Sequence, residues 1–172
     1  MNAEQLRAAQ APLKQAYRDD PARARIAARA EARLEAADIA AVVTRWQGET
    51  VAGLHPAAGG SGALACSADM LLQALVACAG VTLRAVATAM GITLRGGRIV
   101  AEGVWDARGT LAIDKTAPVG LTEIALHFEL DTDADPARVE RLLASTERFC
   151  VIFQTLRSPP TLRMTHAVPA GG

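Results

Sequence analysis

Few residues in this 172-residue chain could do chemistry. Its three histidines, His55, His127 and His166, are scattered, with no HxxxH or HxxH pair to set two imidazoles on one face. Neither they nor the cysteines have the ligand spacing of a zinc site, so no metal site is expected. His127 and His166 sit in strand patterns and read as surface or locally paired side chains. The run Gly59-Gly60-Ser61-Gly62 lacks the following Gly-Lys-Ser/Thr of a phosphate loop, no GxGxxG follows a strand pattern, and there is no GxSxG elbow. That leaves three cysteines, Cys66, Cys78 and Cys150, whose thiols could act as nucleophiles or as a redox couple.

Each cysteine has its own setting. Cys66 lies just before the start of a long apolar helical pattern, where free N–H groups and the helix dipole favour a thiolate. Cys78 lies about three turns inside the same pattern, beyond most of the dipole's help, so a thiolate there needs a nearby arginine or lysine. On its own pattern Cys78 is a small core hydrophobe beside Ala74, Leu75, Val81 and Thr82, and Cys150 at the end of a second apolar stripe reads the same way. Cys66 and Cys78 are 12 positions apart. Along a helix that is about 18 Å, too far for a disulfide, which needs Cα atoms within about 7 Å. Cys78 and Cys150 face the core from two different helices, and their thiols could meet if those helices pack.

The element that must hold Cys78 runs from Ser67 to Gly91. Ser67 can cap it, Asp69 suits its positive end, and Gly91 can end it in a left-handed conformation. Arg84 closes the apolar run that starts at Ala74, leaving it too short to span a bilayer. The segment is therefore expected as a buried central helix. Apolar on nearly every side, it needs cover on nearly every side. One small sheet cannot supply that, so an intertwined homodimer is expected.

Around that helix, Leu6, Ala9, Leu13 and Tyr17 recur at helical spacing over residues 3–19, with Pro12 expected to split the segment. Residues 1–24 form an N-terminal helical arm, and 25–172 a single domain. From Arg25 to Glu35 the period is two, which predicts a strand. A turn at Ala36-Ala37-Asp38 leads to a second strand over Ile39–Arg45 and a third within Trp46–His55. After Gly91 come a short strand at Ile92–Leu94, another over Arg98–Asp106, and the clearest strand, Leu121–Asp131. Asp135-Pro136 opens a second helix, with stripe Val139, Leu142, Leu143, Thr146, Phe149 and Cys150. A short continuation, VIFQTLR, precedes a last strand at Thr161–His166. Strand runs separated by few helices predict an α+β fold with antiparallel sheets.

Composition narrows the classes further. Lys plus Arg and Asp plus Glu number 18 each, so no net field favours nucleic acid or an anionic membrane. The first residues lack the basic start and apolar stretch of a secretory signal, and three cysteines make an odd count. A cytoplasmic, thiol-reducing setting is therefore expected rather than a disulfide framework.

The runs MLLQALVACAGVTLRAVATAMGI and PVGLTEIALHFELDTDADPARVERLLASTERFCVIFQTLRSPP resemble the OsmC/Ohr family of osmotically inducible and organic-hydroperoxide-resistance proteins. That family is similar in having a helix of the form S-P-x-E-L-L-L-x-A-L-x-x-C and a later E-R-Y-C-P-V-x-x-T-L helix. The resemblance covers about Ser67 to Pro160. It implies an OsmC-like α+β fold in which sheets from two chains wrap long central helices. It further implies a peroxidatic Cys78, a resolving Cys150, an apolar hydroperoxide substrate, and no bound cofactor, with an external dithiol or lipoyl-type reductant. The chain departs from the pattern in places. The glutamate that pairs with the family arginine falls at Ala68, with Asp69 one place later at the general acidic position, the proline after the second cysteine is Val151, and the turn that carries the family arginine is Ala36-Ala37-Asp38. Arg18, Arg33 or Arg45 could replace that arginine. Two function classes are therefore carried forward: a thiol-dependent reductase of organic hydroperoxides, and a non-catalytic dimer that binds an apolar small molecule.

Overall fold

The computed structural model describes residues 1–34, 39–44 and 47–167. The chain opens with a helix, α1 (Ala3–Asp19), whose start is fixed by a reciprocal capping box. The Asn2 side chain accepts the Gln5 N–H at 2.9 Å, and the Asn2 N–H donates to Gln5 Oε1 at 3.0 Å. Pro12 lies inside α1 and does not split it as expected. A proline removes one helix N–H, and the capping box together with the alanine-rich turns around it carries the helix across that gap. Asp20 caps a 3-10 turn over Pro21–Ala24, so the arm is helical to its end.

The first sheet contains β1 (Glu31–Leu34), β2 (Ala40–Thr44), β3 (Glu49–Gly53) and β4 (Ala65–Cys66), paired in that order. β1 begins six residues later than the alternation suggests. Among the described residues its ladder with β2 runs from the Glu31–Thr44 pair to Leu34–Ala41, and residues 25–30 make no strand pairing there. β2 pairs antiparallel with β3, setting Val42 opposite Val51. β4 joins β3 in parallel through Ala52–Ala65 and Gly53–Cys66, and the other pairings among the described residues are antiparallel as expected. The expected turn at Ala36-Ala37-Asp38, and Arg45 with Trp46, fall outside the described residues.

β4 feeds directly into α2 (Ser67–Met90). Its N-cap is Cys66, one residue before the expected Ser67, and no side chain bonds the cap. Gly91 ends the helix at φ 62°, ψ 35°, a backbone shape that glycine adopts without strain. Arg138 reinforces that end by donating to the Met90 carbonyl at 3.0 Å. α2 is long and apolar enough to cross a membrane. Here, however, Leu75, Ala79, Leu83 and Ala87 form a buried stripe, and the helix packs against α1 and the elements that follow it. The expectation of burial on every side fails within one chain, since Val81 is 73% exposed.

The second sheet is an antiparallel ribbon of β5 (Gly96–Trp105) and β6 (Leu121–Asp131), with a one-turn helix, α3 (Ala107–Thr110), in the connection. Ile92 and Leu94 form no strand but are buried and contribute to the core. β6 keeps the predicted bounds. Ile124, Leu126, Phe128 and Leu130 are half-buried, while Glu123, His127 and Glu129 face solvent. Asp135 then caps α4 (Pro136–Phe149) by accepting the Arg138 N–H at 2.8 Å, and α5 (Val151–Arg157) follows at once. Leu83, Ala87, Ile92, Leu94 and Leu142 make the core, with Ile99, Phe128 and Leu130 packed on it. The last predicted strand, Thr161–His166, is not formed. The segment is exposed and makes no ladder with either sheet.

The result is an α+β protein in which one long helix links two small sheets. Its accessible surface is 12994 Å², against roughly 8,000 Å² for a compact monomer of 18.0 kDa. Apolar side chains contribute to the difference along much of the chain, among them Ile26 and Leu34 near the N-terminal arm, Val81 on α2, Val104 on the ribbon and Met164 in the tail.

Candidate dithiol site

α4 stops and α5 starts at one residue, Cys150, whose φ −74° and ψ 109° are extended rather than helical. Its N–H closes α4 on the Thr146 carbonyl at 2.9 Å, and its carbonyl accepts the Gln154 N–H at 3.0 Å to open α5. That geometry leaves the N–H groups of Val151, Ile152 and Phe153 without an intrahelical acceptor. The Cys150 side chain is buried, with 1% of the residue exposed. Because α2 packs on both α4 and α5, the half-buried Cys78 comes to lie at this joint. The two thiols are close enough to influence each other's ionisation, and both are free. Cys66 stands apart from them at the far end of α2 and faces a different cleft.

The surroundings drive the two thiols in opposite directions. Burial pushes the Cys78 thiol up, but hydrogen bonding from the Ile152 N–H, the Cys150 thiol, the Val151 N–H and the Thr82 hydroxyl outweighs it. The Cys78 pKa falls below the ordinary cysteine value. Cys150 is pushed up, first by burial and then by its neighbour Cys78, against the partial relief of the Phe153 and Ile152 N–H groups. The pair thus divides into a more acidic thiol and a less acidic one. This is the division of labour that a thiolate and a partner awaiting attack require.

None of the groups acting on Cys78 among the described residues is an arginine. Of the three expected candidates, Arg33 is engaged by Glu49 on β3 through contacts of 2.7 and 3.3 Å. Arg18 reaches Gln15 at 3.5 Å within α1, and Arg45 is outside the described residues. The donors that do act on Cys78 were partly legible in the sequence. Thr82 is one helical turn beyond Cys78, and Val151 stands where the family pattern has proline, so it retains an N–H that proline lacks.

Two hollows flank the pair. One, of about 290 Å³, is lined by Leu75, Leu121, Ile124, Leu126, Phe153 and Leu156, with Arg157 and Glu123 at its polar side. Leu75 is on the helix that carries Cys78 and Phe153 on the helix that follows Cys150, so this hollow shares the pair's elements although neither thiol lines it. The other, of about 460 Å³, opens over Cys150 between Phe149, Val151, Gln154 and Pro160, with Arg148 stacked 5.3 Å from the centre of the Phe149 ring.

The OsmC-like protein family matches residues 60–165, which is 106 of the 172 residues and includes both thiols of the pair. The chain belongs to the OsmC family. Solved OsmC-type structures share its fold. An OsmC-like protein from Mycoplasma pneumoniae superposes with a TM-score of 0.64 at 20% identity, covering 78% of this chain and 89% of the other. An organic hydroperoxide resistance protein OsmC from Legionella pneumophila gives 0.61 at 18% identity, covering 78% and 93%. A hypothetical protein from Aquifex aeolicus gives 0.60 at 15%, covering 78% and 90%. Among curated proteins no sequence match is found. At these identities the likeness establishes the OsmC fold for this chain, and the chemistry must be argued from its own residues.

Proposed function

We propose that this OsmC protein reduces organic hydroperoxides with the Cys78–Cys150 pair. The carrying observation is the meeting of a half-buried Cys78 on α2 with the buried Cys150 at the α4–α5 joint, beside the N–H groups that open α5 and favour the Cys78 thiolate. The Cys78 thiolate attacks the terminal oxygen of ROOH, the O–O bond breaks, and the alkoxide leaves as ROH after taking a proton. Cys78 becomes a sulfenic acid. The Cys150 sulfur then attacks that sulfenic sulfur, water leaves, and a disulfide forms. An external dithiol of small-molecule or lipoyl type reduces the disulfide through a mixed disulfide, becoming oxidised itself. No cofactor takes part. The apolar hollow lined by Leu75 and Phe153 suits an organic R group better than hydrogen peroxide.

The working form in this reading is a cytoplasmic homodimer. Its support is the large excess surface, the exposed Val81 face of α2, and a two-stranded ribbon that is short of partners for independent stability.

The test is turnover of cumene hydroperoxide with dithiothreitol, alongside loss of free thiol. Stoichiometric oxidation of one Cys78–Cys150 pair per chain is expected, and turnover that survives Cys78→Ser would overturn the proposal. The second reading, a non-catalytic binder of an apolar molecule, is favoured by one specific observation. Ala68 replaces the family glutamate, and no described arginine acts on Cys78. It predicts an intact pair after hydroperoxide treatment.

A further inference from the structure

One sizeable hollow among the described residues is not at the dithiol. A cleft of about 560 Å³ lies between the end of β3, the start of α2 and the β5–β6 ribbon, and neither Cys78 nor Cys150 lines it. Its size falls in the range of small-molecule sites. Leu54, Leu71, Trp105, Ile124 and Leu156 give it an apolar wall. Among the described residues, no Asp, Glu, Lys or Arg lines it. A charged ligand would lose its hydration there with nothing to compensate, so the cleft is shaped against ions.

One polar group in the wall is fixed in orientation. The His55 Nδ1 accepts the Ala57 N–H at 3.0 Å, so the ring proton of the neutral imidazole sits on Nε2, leaving that atom as a donor. The ring is also held edge-on against Trp105, 5.4 Å between centres and 88° between planes. The loop that carries it is tightly wound. The His55 carbonyl accepts from Ala58 at 2.8 Å and from Gly60 at 3.1 Å. A side chain at Gly60 would place a Cβ 1.7 Å from the Leu54 carbonyl oxygen, so only glycine fits this wall. The donor is therefore preset rather than recruited on binding. The Cys66 thiol lines the same cleft and reports on its occupancy.

We propose that this cleft binds a neutral, mainly hydrocarbon molecule through one carbonyl oxygen that accepts from the His55 Nε2–H. Neither thiol of the pair lines the cleft, and it adjoins the smaller apolar hollow through Leu121, Ile124 and Leu156. Its occupant is selected by absence of charge, by an apolar body, and by a single acceptor.

The test is site-resolved labelling of the full chain with N-ethylmaleimide, followed by mass spectrometry of the Cys66 peptide. Titration with 2-nonanone is expected to slow Cys66 labelling saturably, while sodium nonanoate at equal concentration does not. His55→Phe, which keeps a ring beside Trp105 but removes the donor, is expected to raise the concentration needed by about tenfold, the size of one hydrogen bond. His55→Gln restores a donor and is expected to recover part of that loss. Ile124→Trp fills the cleft and is expected to abolish protection. Four outcomes overturn the proposal: no protection by 2-nonanone, equal protection by nonanoate, an unchanged titration in both His55 variants, or a Cys66 that resists labelling without ligand because a second copy covers the cleft.

Discussion

Cys78 and Cys150 lie close enough to act on each other's ionisation, and with burial and the N–H groups that open α5 this moves the Cys78 thiol down and the Cys150 thiol up. Groups that influence each other in this way titrate as a pair, so each step is read as a macroscopic ionisation.

The first ionisation of the pair is expected below the ordinary cysteine value of about 8.5, because the folded state favours the Cys78 thiolate. Alkylation of Cys78 by iodoacetamide, followed against pH, measures it, and Cys150→Ala is expected to move the midpoint up by removing a donor. The linkage to stability has a defined sign. Cys78 is depressed in the fold, so its contribution is fully present above about pH 8.5 and is lost as pH falls through its folded value. Cys150 is raised, so its contribution is present below about pH 8.5 and is lost as pH rises through its folded value. Thermal melts of Cys78→Ala and Cys150→Ala across pH 6 to 10 are expected to lose opposite halves of this dependence.

Val151→Pro removes one donor from Cys78 without disturbing the helix, since proline suits the first position of α5. Thr82→Val removes another at nearly constant volume. Each is expected to lower the hydroperoxide rate at neutral pH by about tenfold, the size of one hydrogen bond to a charged group, with the far-ultraviolet circular dichroism unchanged. Rates equal to the parent's in both variants would show that other groups hold the thiolate.

Oxidation is expected to stabilise the fold. A bond between positions 78 and 150 closes a loop of about 70 residues, for which the chain-entropy account gives about 4 kcal/mol. Differential scanning calorimetry before and after one equivalent of cumene hydroperoxide measures it. An unchanged or lowered Tm would mean that closing the pair distorts the α2 contacts by a comparable amount.

Val81→Glu tests the assembly. The side chain is exposed in one protomer, so the change should cost the isolated fold little. In a dimer closed over that face of α2, it buries a charge, and sedimentation velocity is expected to move from twice 18.0 kDa toward one. A species of one mass in both proteins would remove the assembly from the proposal.

The sequence made α2, β6 and α4 plain because each combines a strong period with a cap: Gly91 for α2, Asp135-Pro136 for α4, and unbroken alternation over Leu121–Asp131. Ile26 to Ala30 and Thr161 to His166 alternate too, yet form no strand, because alternation says which face is apolar and not whether a neighbour exists to complete a ladder. Pro12 shows the reverse case, a local breaker overridden by its surroundings. At the site, the positions of both thiols were legible, but not what acts on them. Backbone N–H groups have no letter in the sequence, and only the missing proline at Val151 hinted that one was free.

Cys150 is also the single joint between two rods. α4 ends on its N–H and α5 begins on its carbonyl, so its two backbone dihedrals set the angle between them. A bond from its sulfur to Cys78 would pin that joint to α2. Chemistry at one atom would then be felt as a mechanical brake on the whole C-terminal lever, from Pro136 to Arg157.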